Sequence, residues 1–352
     1  SDALIKGLLE SGTDVADVGV MTTPGVAHLT MRYKMTLGAV LSASHNPWTE
    51  NGIKLVGADG FKLEDTAEAV VEGYINNPTE TFLPAHPGQL LPARDWAADY
   101  IDHLVAHFPK DSLSELKLVL DCSNGAASDI APRAFEQLGC QVTTTHAQPD
   151  GRNINHECGS EYFRSGKGDL ISNLAASDAH FAAAFDGDAD RVIFADERGN
   201  LVDGDHILYL LARHLLAAGK LPGPVVVTTS MANSGLDDGL AASGVRTLRT
   251  QVGDKYVLRE MLAGGFVLGG EQSGHIILYD TQHTTGDGIY TALWLAHLIN
   301  QHPRRSLQAL AQGFHKKPQV IASARVSSRP ALETLPGFSR AYQKTLETLG
   351  AE

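Results

Sequence analysis

Short apolar runs that end in small polar residues recur along this chain about every hundred residues, each leading toward a stretch of helical periodicity. Leu37–Leu41 runs into Ser42-Ala43-Ser44-His45-Asn46-Pro47. Leu116–Leu120 runs into Asp121-Cys122-Ser123-Asn124-Gly125-Ala126-Ala127, and Val225–Val227 into Thr228-Thr229-Ser230-Met231-Ala232-Asn233-Ser234-Gly235. The pattern predicts strand, polar turn and helix in three related α/β units, because solenoid repeats have a far shorter period. Helices are predicted over Asp2–Glu10, Asp95–Phe108, Ile130–Leu138, His206–Ala218 and Asp287–Asn300. In the first, Leu4, Ile5, Leu8 and Leu9 share one face and Gly12 lies just past the end. The proline- and glycine-bearing stretch Pro84–Pro92 reads as a linker, and the polar segment Gln148–Lys167 as a long surface loop. Near Pro318 a strand-like run, Val320–Val326, precedes one helical stretch, Ala331–Leu349, too little to bury a core of its own.

The chain has 352 residues, enough for two or three ordinary domains. A hydrophobic share of 43% with 20% charged residues fits a globular chain and excludes a disordered one. Lys and Arg number 28 against 41 Asp and Glu, a net charge of −13 that disfavours a nucleic-acid surface. An anionic substrate would therefore depend on local positive charge. Three cysteines, Cys122, Cys140 and Cys158, lack the short spacing of a zinc site, and so sparse and odd a count fits reduced thiols in a cytoplasm. No run has the length of a membrane span and no secretory signal opens the chain, which begins Ser-Asp-Ala-Leu without an initiator methionine. The expectation is a piece of a longer cytoplasmic protein, with partners that include neither nucleic acid nor membrane.

Between the apolar runs Phe181–Phe185 and Val192–Ala195 stands Asp186-Gly187-Asp188-Ala189-Asp190-Arg191. Three carboxylates at alternate positions repel one another unless a cation lies among them. An all-oxygen donor set points to Mg²⁺ rather than zinc, and the adjacent Arg191 offers a planar fork for phosphate. Counted from Asp186, the carboxylates also fit an EF-hand through Glu197, but Arg191 takes the glycine position and the flanks are β-like. The second constellation is Ser44-His45-Asn46-Pro47, where proline keeps Asn46 out of the helical region and turns the chain sharply. A helix cap, an Asx-turn and a plain loop compete for that segment. Ala43 and Asn46 stand where a hydrolase elbow would carry glycines. The third is Gly269-Gly270-Glu271-Gln272-Ser273-Gly274-His275, a mixture of donors and acceptors suited to sugar hydroxyls or to a structural histidine. Weaker candidates are Lys54, the turn Gln251–Lys255, and Asp287, which reads as a helix cap.

Together, in this order, the three loops resemble the α-D-phosphohexomutase superfamily, and the likeness runs nearly end to end. Within it the chain looks most like the bacterial branch acting on glucosamine phosphates. The segments that carry this are Thr22–Ala27, Gly151–Asn155 with Cys158-Gly159-Ser160, Val252–Val257, and Gln272. The resemblance implies an α/β fold of three related mixed-sheet domains with helices on both faces, at 1–90, 91–200 and 201–317. It also implies that 318–352 opens a fourth, α+β, phosphate-binding domain. As implied roles, Ser44 carries a phosphoryl group, and Asp186, Asp188, Asp190 and the Ser44 oxygen hold one Mg²⁺. Arg191 steadies the transferring group, Lys54 and His275 are candidates for proton transfer, and His45, Glu271, Ser273 and His275 bind the substrate. The implied reaction interconverts the 6- and 1-phosphates of glucosamine, with a hexose bisphosphate as intermediate and activator and with a homodimer as a compatible assembly. The same chemistry on mannose or glucose phosphates is the alternative. The sequence departs from the superfamily pattern in lacking an opening strand with an arginine-bearing loop and most of the fourth domain, so a non-catalytic fragment binding metal and sugar phosphate is a second alternative. Glu161-Tyr162-Phe163 and Trp48-Thr49 also differ from the residues usual at those places.

Overall fold

A computed structural model describes residues 1–77, 86–321, 326, 328 and 330–349. The chain divides into two compact units, Ser1–Lys317 and Pro318–Glu352. The first is built on three sheets. Helices α1 (Asp2–Glu10) and α2 (Thr23–Arg32) precede a two-stranded antiparallel sheet of β1 (Leu37–Ser42) and β2 (Gly52–Gly57), followed by α3 (Asp65–Asn76) and α4 (Trp96–Val105).

The second sheet contains β3 (Lys117–Asp121), β4 (Gln141–Thr145), β5 (Phe181–Phe185), β6 (Val192–Ala195) and β7 (Leu201–Val202), in the order β4-β3-β5-β6-β7. Between its strands run α5 (Ala127–Gln137), α6 (Gly159–Arg164) and α7 (Leu170–Ser177). Strands β4, β3 and β5 are parallel and β6 turns back antiparallel. Helix α8 (Gly204–Ala217) leads to the third sheet, ordered β11-β10-β8-β9, of β8 (Val225–Thr229), β9 (Arg246–Thr250), β10 (Leu268–Gly270) and β11 (Ile276–Leu278). Here again the parallel strands β9, β8 and β10 end in an antiparallel return, β11. Helices α8, α9 (Gly235–Ala241) and α10 (Asp254–Gly264) pack on it, α11 (Gly288–Gln301) lies against β11 and also against β5 and β6, and α12 (Leu307–Ala311) lies against α8. Strands β5, β6 and β8 are buried on both faces, as their unbroken apolar runs require.

Three features of the first unit differ from the sequence expectation. The serine loop joins antiparallel neighbours, β1 to β2, where a helix was expected; the aspartate loop joins β5 to β6, as its β-like flanks suggested, and the Gly270–His275 loop joins β10 to β11. Of the three turns expected to lead into helices, those after β3 and β8 do so, into α5 and α9. An antiparallel pair can be joined by a short loop, which projects a few side chains from a rigid base. Second, Gln148–Lys167 is not simply a surface loop: it contains α6, and Gly159, Ser160 and Phe163 are buried. Third, in the described part of the linker stretch, Leu90 bridges Val15, and Gly88 donates to the Leu9 carbonyl (2.8 Å). That stretch is packed backbone, since a side chain at Gly88 would strike Thr13.

Within the second unit a short 3₁₀ turn, Leu332–Thr334, precedes α13 (Phe338–Leu349), where one continuous helix from Ala331 was expected. Most of the strand expected over Val320–Val326 lies outside the described residues.

Candidate active site

The aspartate loop is a turn between two buried strands. Its first residue, Asp186, accepts through Oδ1 from the Arg191 amide (3.1 Å), and its carbonyl accepts from Ala189, which adopts a left-handed φ of 56°. Asp186, Asp188 and Asp190 are almost wholly buried, and one carboxylate oxygen from each lies within 4.8 Å of the others. Each carboxylate has one oxygen engaged and one without a hydrogen-bond partner: Asp186 Oδ2, Asp188 Oδ1 and Asp190 Oδ1. The engaged oxygens of the latter two meet Lys54, whose Nζ is 2.5 Å from Asp188 Oδ2 and 3.2 Å from Asp190 Oδ2. The Thr23 hydroxyl also donates to Asp188 Oδ2.

Burial, then the charges of Asp190 and Asp188, push the Asp186 carboxyl well above the usual range. Burial also opposes ionisation of Asp190, but Lys54 and the His275 ring hold its carboxyl well below that range. For Lys54 the order is similar: burial disfavours its charge, and Asp190 and Asp188 more than compensate, raising its pKa. Three buried carboxylates, each with an unpartnered oxygen, fit a hard divalent cation by number and donor type. The EF-hand alternative fails, because Glu197 is exposed and accepts from Ser306 and Gln308.

The serine loop rests on this turn through its backbone. Ser44 adopts a left-handed φ of 53°, and its carbonyl accepts from the Gly187 amide (3.1 Å) and from Asn155 Nδ2 (2.8 Å). The same Asn155 amide reaches the Asn46 carbonyl at 2.7 Å. Gly187 permits the approach: a Cβ there would stand 2.5 Å from the Ser44 carbonyl oxygen. His45 is half-buried, and its imidazole is held below the ordinary value by burial and then by the Arg191 charge. Arg191 is itself largely covered. Burial opposes its charge, but Asp190 and Asp186 raise its pKa.

The third loop closes over the same turn. Val192 donates to the Gly274 carbonyl (3.2 Å), and Gly274, with φ of 94°, packs on Val192. His275 is buried, with Nδ1 3.7 Å from Asp190 Oδ1 and Nε2 3.8 Å from Asp254 Oδ2. Burial would raise the Asp254 carboxyl, but His275 and Lys62 bring it down to about 2. Glu271 Oε1 accepts from the Gly253 amide (3.1 Å), and Ser273 is half-buried in the turn. Behind the loop, Gln272 donates to Asp205 (2.7 Å). Asp287 caps α11, as its position suggested.

The structure thus gathers Lys54, Asp186, Asp188, Asp190, Arg191 and His275 into one cluster, with the backbones of Ser44 and Gly274 against it. Sequence reasoning missed the parts played by Thr23, Asn155 and Asp205, whereas Asp254 lies in the Gln251–Lys255 turn that it offered as a weaker candidate. Thr23 opens α2, whose start is signalled by the cap Thr22 and by Pro24. Asn155 has no local signal, because the serine-loop carbonyls it holds lie more than a hundred positions away.

Three family models match the chain: the phosphoglucomutase/phosphomannomutase alpha/beta/alpha domains I, II and III, over residues 1–82, 98–199 and 203–317. The phosphoglucosamine mutase of Syntrophotalea carbinolica is 43% identical over 99% of this chain and 76% of its own length. That of Carboxydothermus hydrogenoformans is 42% identical over 99% and 78%. Among solved structures, a phosphoglucomutase/phosphomannomutase family protein of Burkholderia thailandensis superposes with a TM-score of 0.75. It is 27% identical, over 92% of this chain and 69% of that one. An Aspergillus fumigatus N-acetylphosphoglucosamine mutase, solved with GlcNAc-6P and magnesium, shares the fold with a TM-score of 0.67 at 20% identity, over 93% and 84% of the two chains.

Proposed function

Since the chain belongs to the phosphoglucomutase/phosphomannomutase family, we propose that it interconverts glucosamine 6-phosphate and glucosamine 1-phosphate through a phosphoserine at residue 44. One observation carries the reading: the Ser44 backbone is bonded to Gly187, between the first two carboxylates of the aspartate turn. Asp186, Asp188 and Asp190, with a phosphoserine oxygen, would hold a divalent cation. The oxygen-only donor set favours Mg²⁺, which would neutralise charge on the transferring phosphoryl group.

The remaining steps fall to the chain's own residues. The bond from phosphorus to Ser44 Oγ breaks as one forms to the 1-hydroxyl of glucosamine 6-phosphate, giving the 1,6-bisphosphate. The hydroxyl proton passes to His275, and Lys54, kept protonated by Asp190 and Asp188, gives one to the departing Ser44 Oγ; both transfers reverse when the second phosphate returns to the serine. Arg191 faces the equatorial oxygens with a cation that Asp190 and Asp186 keep charged. After the bisphosphate turns round, its 6-phosphate returns to Ser44 and the 1-phosphate leaves. His45, Glu271, Ser273 and His275 bind the sugar, with Glu271 oriented by the Gly253 amide.

Mass spectrometry after incubation with glucosamine 1,6-bisphosphate tests the carrier: phosphate is expected on Ser44 and absent from the Ser44→Ala variant, which should not turn over. Unphosphorylated Ser44 would refute the reading. Rates on glucosamine 6-phosphate no greater than on glucose 6-phosphate would transfer the activity to the hexose alternative.

A further inference from the structure

Away from the aspartate turn, three side chains converge at the surface. His107 follows the end of α4, and Asp280 and His283 precede α11. One ligand atom from each lies within 4.8 Å of the others, and His107 stands more than 170 positions before the other two. We propose that these three residues form a second metal site, for a borderline divalent cation such as Zn²⁺, clamping the α4 terminus to the segment before α11.

Each ligand is held from behind. His107 Nδ1 lies 3.1 Å from the His103 carbonyl, which can only accept, so Nδ1 carries the proton and Nε2 keeps its lone pair. Asp280 Oδ1 accepts from the amides of Gln282 (2.7 Å) and His283 (2.8 Å), which fixes the carboxylate. The His283 ring is sandwiched, stacked on Tyr290 at 3.9 Å and on His103 at 4.5 Å. Its Nε2 lies 3.2 Å from His103 Nε2, and its Nδ1 lies 3.3 Å from both oxygens of Asp280. In the tautomer that donates through Nε2 to His103, the Nδ1 lone pair faces the Asp280 carboxylate and a cation between them reconciles the two acceptors; in the other, Nδ1 donates to Asp280 and an entering cation displaces that proton. This is the arrangement of metal-bound imidazoles, whose second nitrogen is anchored by another group.

Two imidazoles and one carboxylate suit zinc and its neighbours and suit magnesium poorly, the reverse of the aspartate turn. His107 and Asp280 are exposed, so an ion can enter and water can complete the coordination.

The test uses untagged chain stripped of metal and held in excess Mg²⁺, so that the oxygen site is filled. Zinc is titrated against a chromophoric chelator, and Co²⁺ replaces zinc to read tetrahedral visible absorption. One equivalent should bind in the presence of Mg²⁺ and raise the Tm. His107→Ala removes an exposed ligand and leaves the core intact, and should weaken zinc by at least about tenfold and abolish the rise. Asp280→Asn should weaken it likewise, and Asp188→Asn should leave it unchanged. Absence of a Mg²⁺-resistant equivalent, or unchanged affinity in both His107→Ala and Asp280→Asn, would overturn the proposal.

Discussion

Asn155 ties the serine loop to the second sheet, and its removal separates geometry from chemistry. Its side-chain amide spans the Ser44 and Asn46 carbonyls at 2.8 and 2.7 Å, while its Oδ1 accepts from Ser123 (2.7 Å). Its backbone holds a left-handed φ of 57°, which asparagine tolerates and alanine resists. Asn155→Ala loses three side-chain hydrogen bonds, at about 1 kcal/mol each, and adds about 1 kcal/mol of backbone strain, roughly 4 kcal/mol in total. Asn155→Gly loses the same bonds without the strain, roughly 3 kcal/mol. Stability should therefore fall in the order Asn, Gly, Ala in thermal melts. Turnover should fall alike in both variants, on the order of a hundredfold if Ser44 drifts by an ångström. The assays are steady-state conversion of glucosamine 6-phosphate and the extent of Ser44 phosphorylation. Wild-type turnover in Asn155→Gly would show that the bonds do not position the serine and would refute the reasoning.

Gly187→Ala places a methyl 2.5 Å from both the Ser44 carbonyl oxygen and Ile154 Cδ1, which should cost about 1–3 kcal/mol in melts and lower kcat. A variant as stable and as fast as the parent would show that the two loops can separate freely. Asp188→Asn, or excess chelator on the parent, should cut turnover by at least about a hundredfold, with Mg²⁺ restoring only the chelated parent. Undiminished rates in chelator would contradict the cation assignment. Burial, then Asp203, raises the Asp205 carboxyl from 3.8 to about 6, so the fold favours its protonated form. That contribution is full below pH 3.8 and is lost as pH rises through about 6. Asp205→Asn cannot ionise and keeps an acceptor for Gln272 and the Asn233 amide. Its Tm relative to the parent should climb between these pH values and level off above them. A constant difference across the window would refute the sign.

What the sequence made legible follows from where each signal is written. Strands β5 and β6 announce themselves as unbroken apolar runs, and the acidic turn between them carries its chemistry in adjacent residues, so both could be read locally. Helix α1 shows a clear apolar face, and its limits match the periodicity. Helix α2 lacked the periodic signal and kept only its start signals, Thr22 and Pro24: Thr23 through Thr30 are all buried, so no polar face alternates with an apolar one. The reversal after the serine loop was equally hidden, because Pro47 marks a turn without saying whether a helix or a returning strand follows. The partners of the site were the least legible. Thr23, Asn155 and Asp254 act on residues from other parts of the chain, and nothing in their neighbourhood encodes the partner. Yet the backbone constrains them tightly: Gly187 meets Ser44, Gly274 meets Val192, and Gly288 meets Ala189 and Arg191, each where a Cβ would collide. Three glycines on three separate segments therefore set how closely the loops approach one aspartate turn, and the side chains supply the charge that the approach brings together.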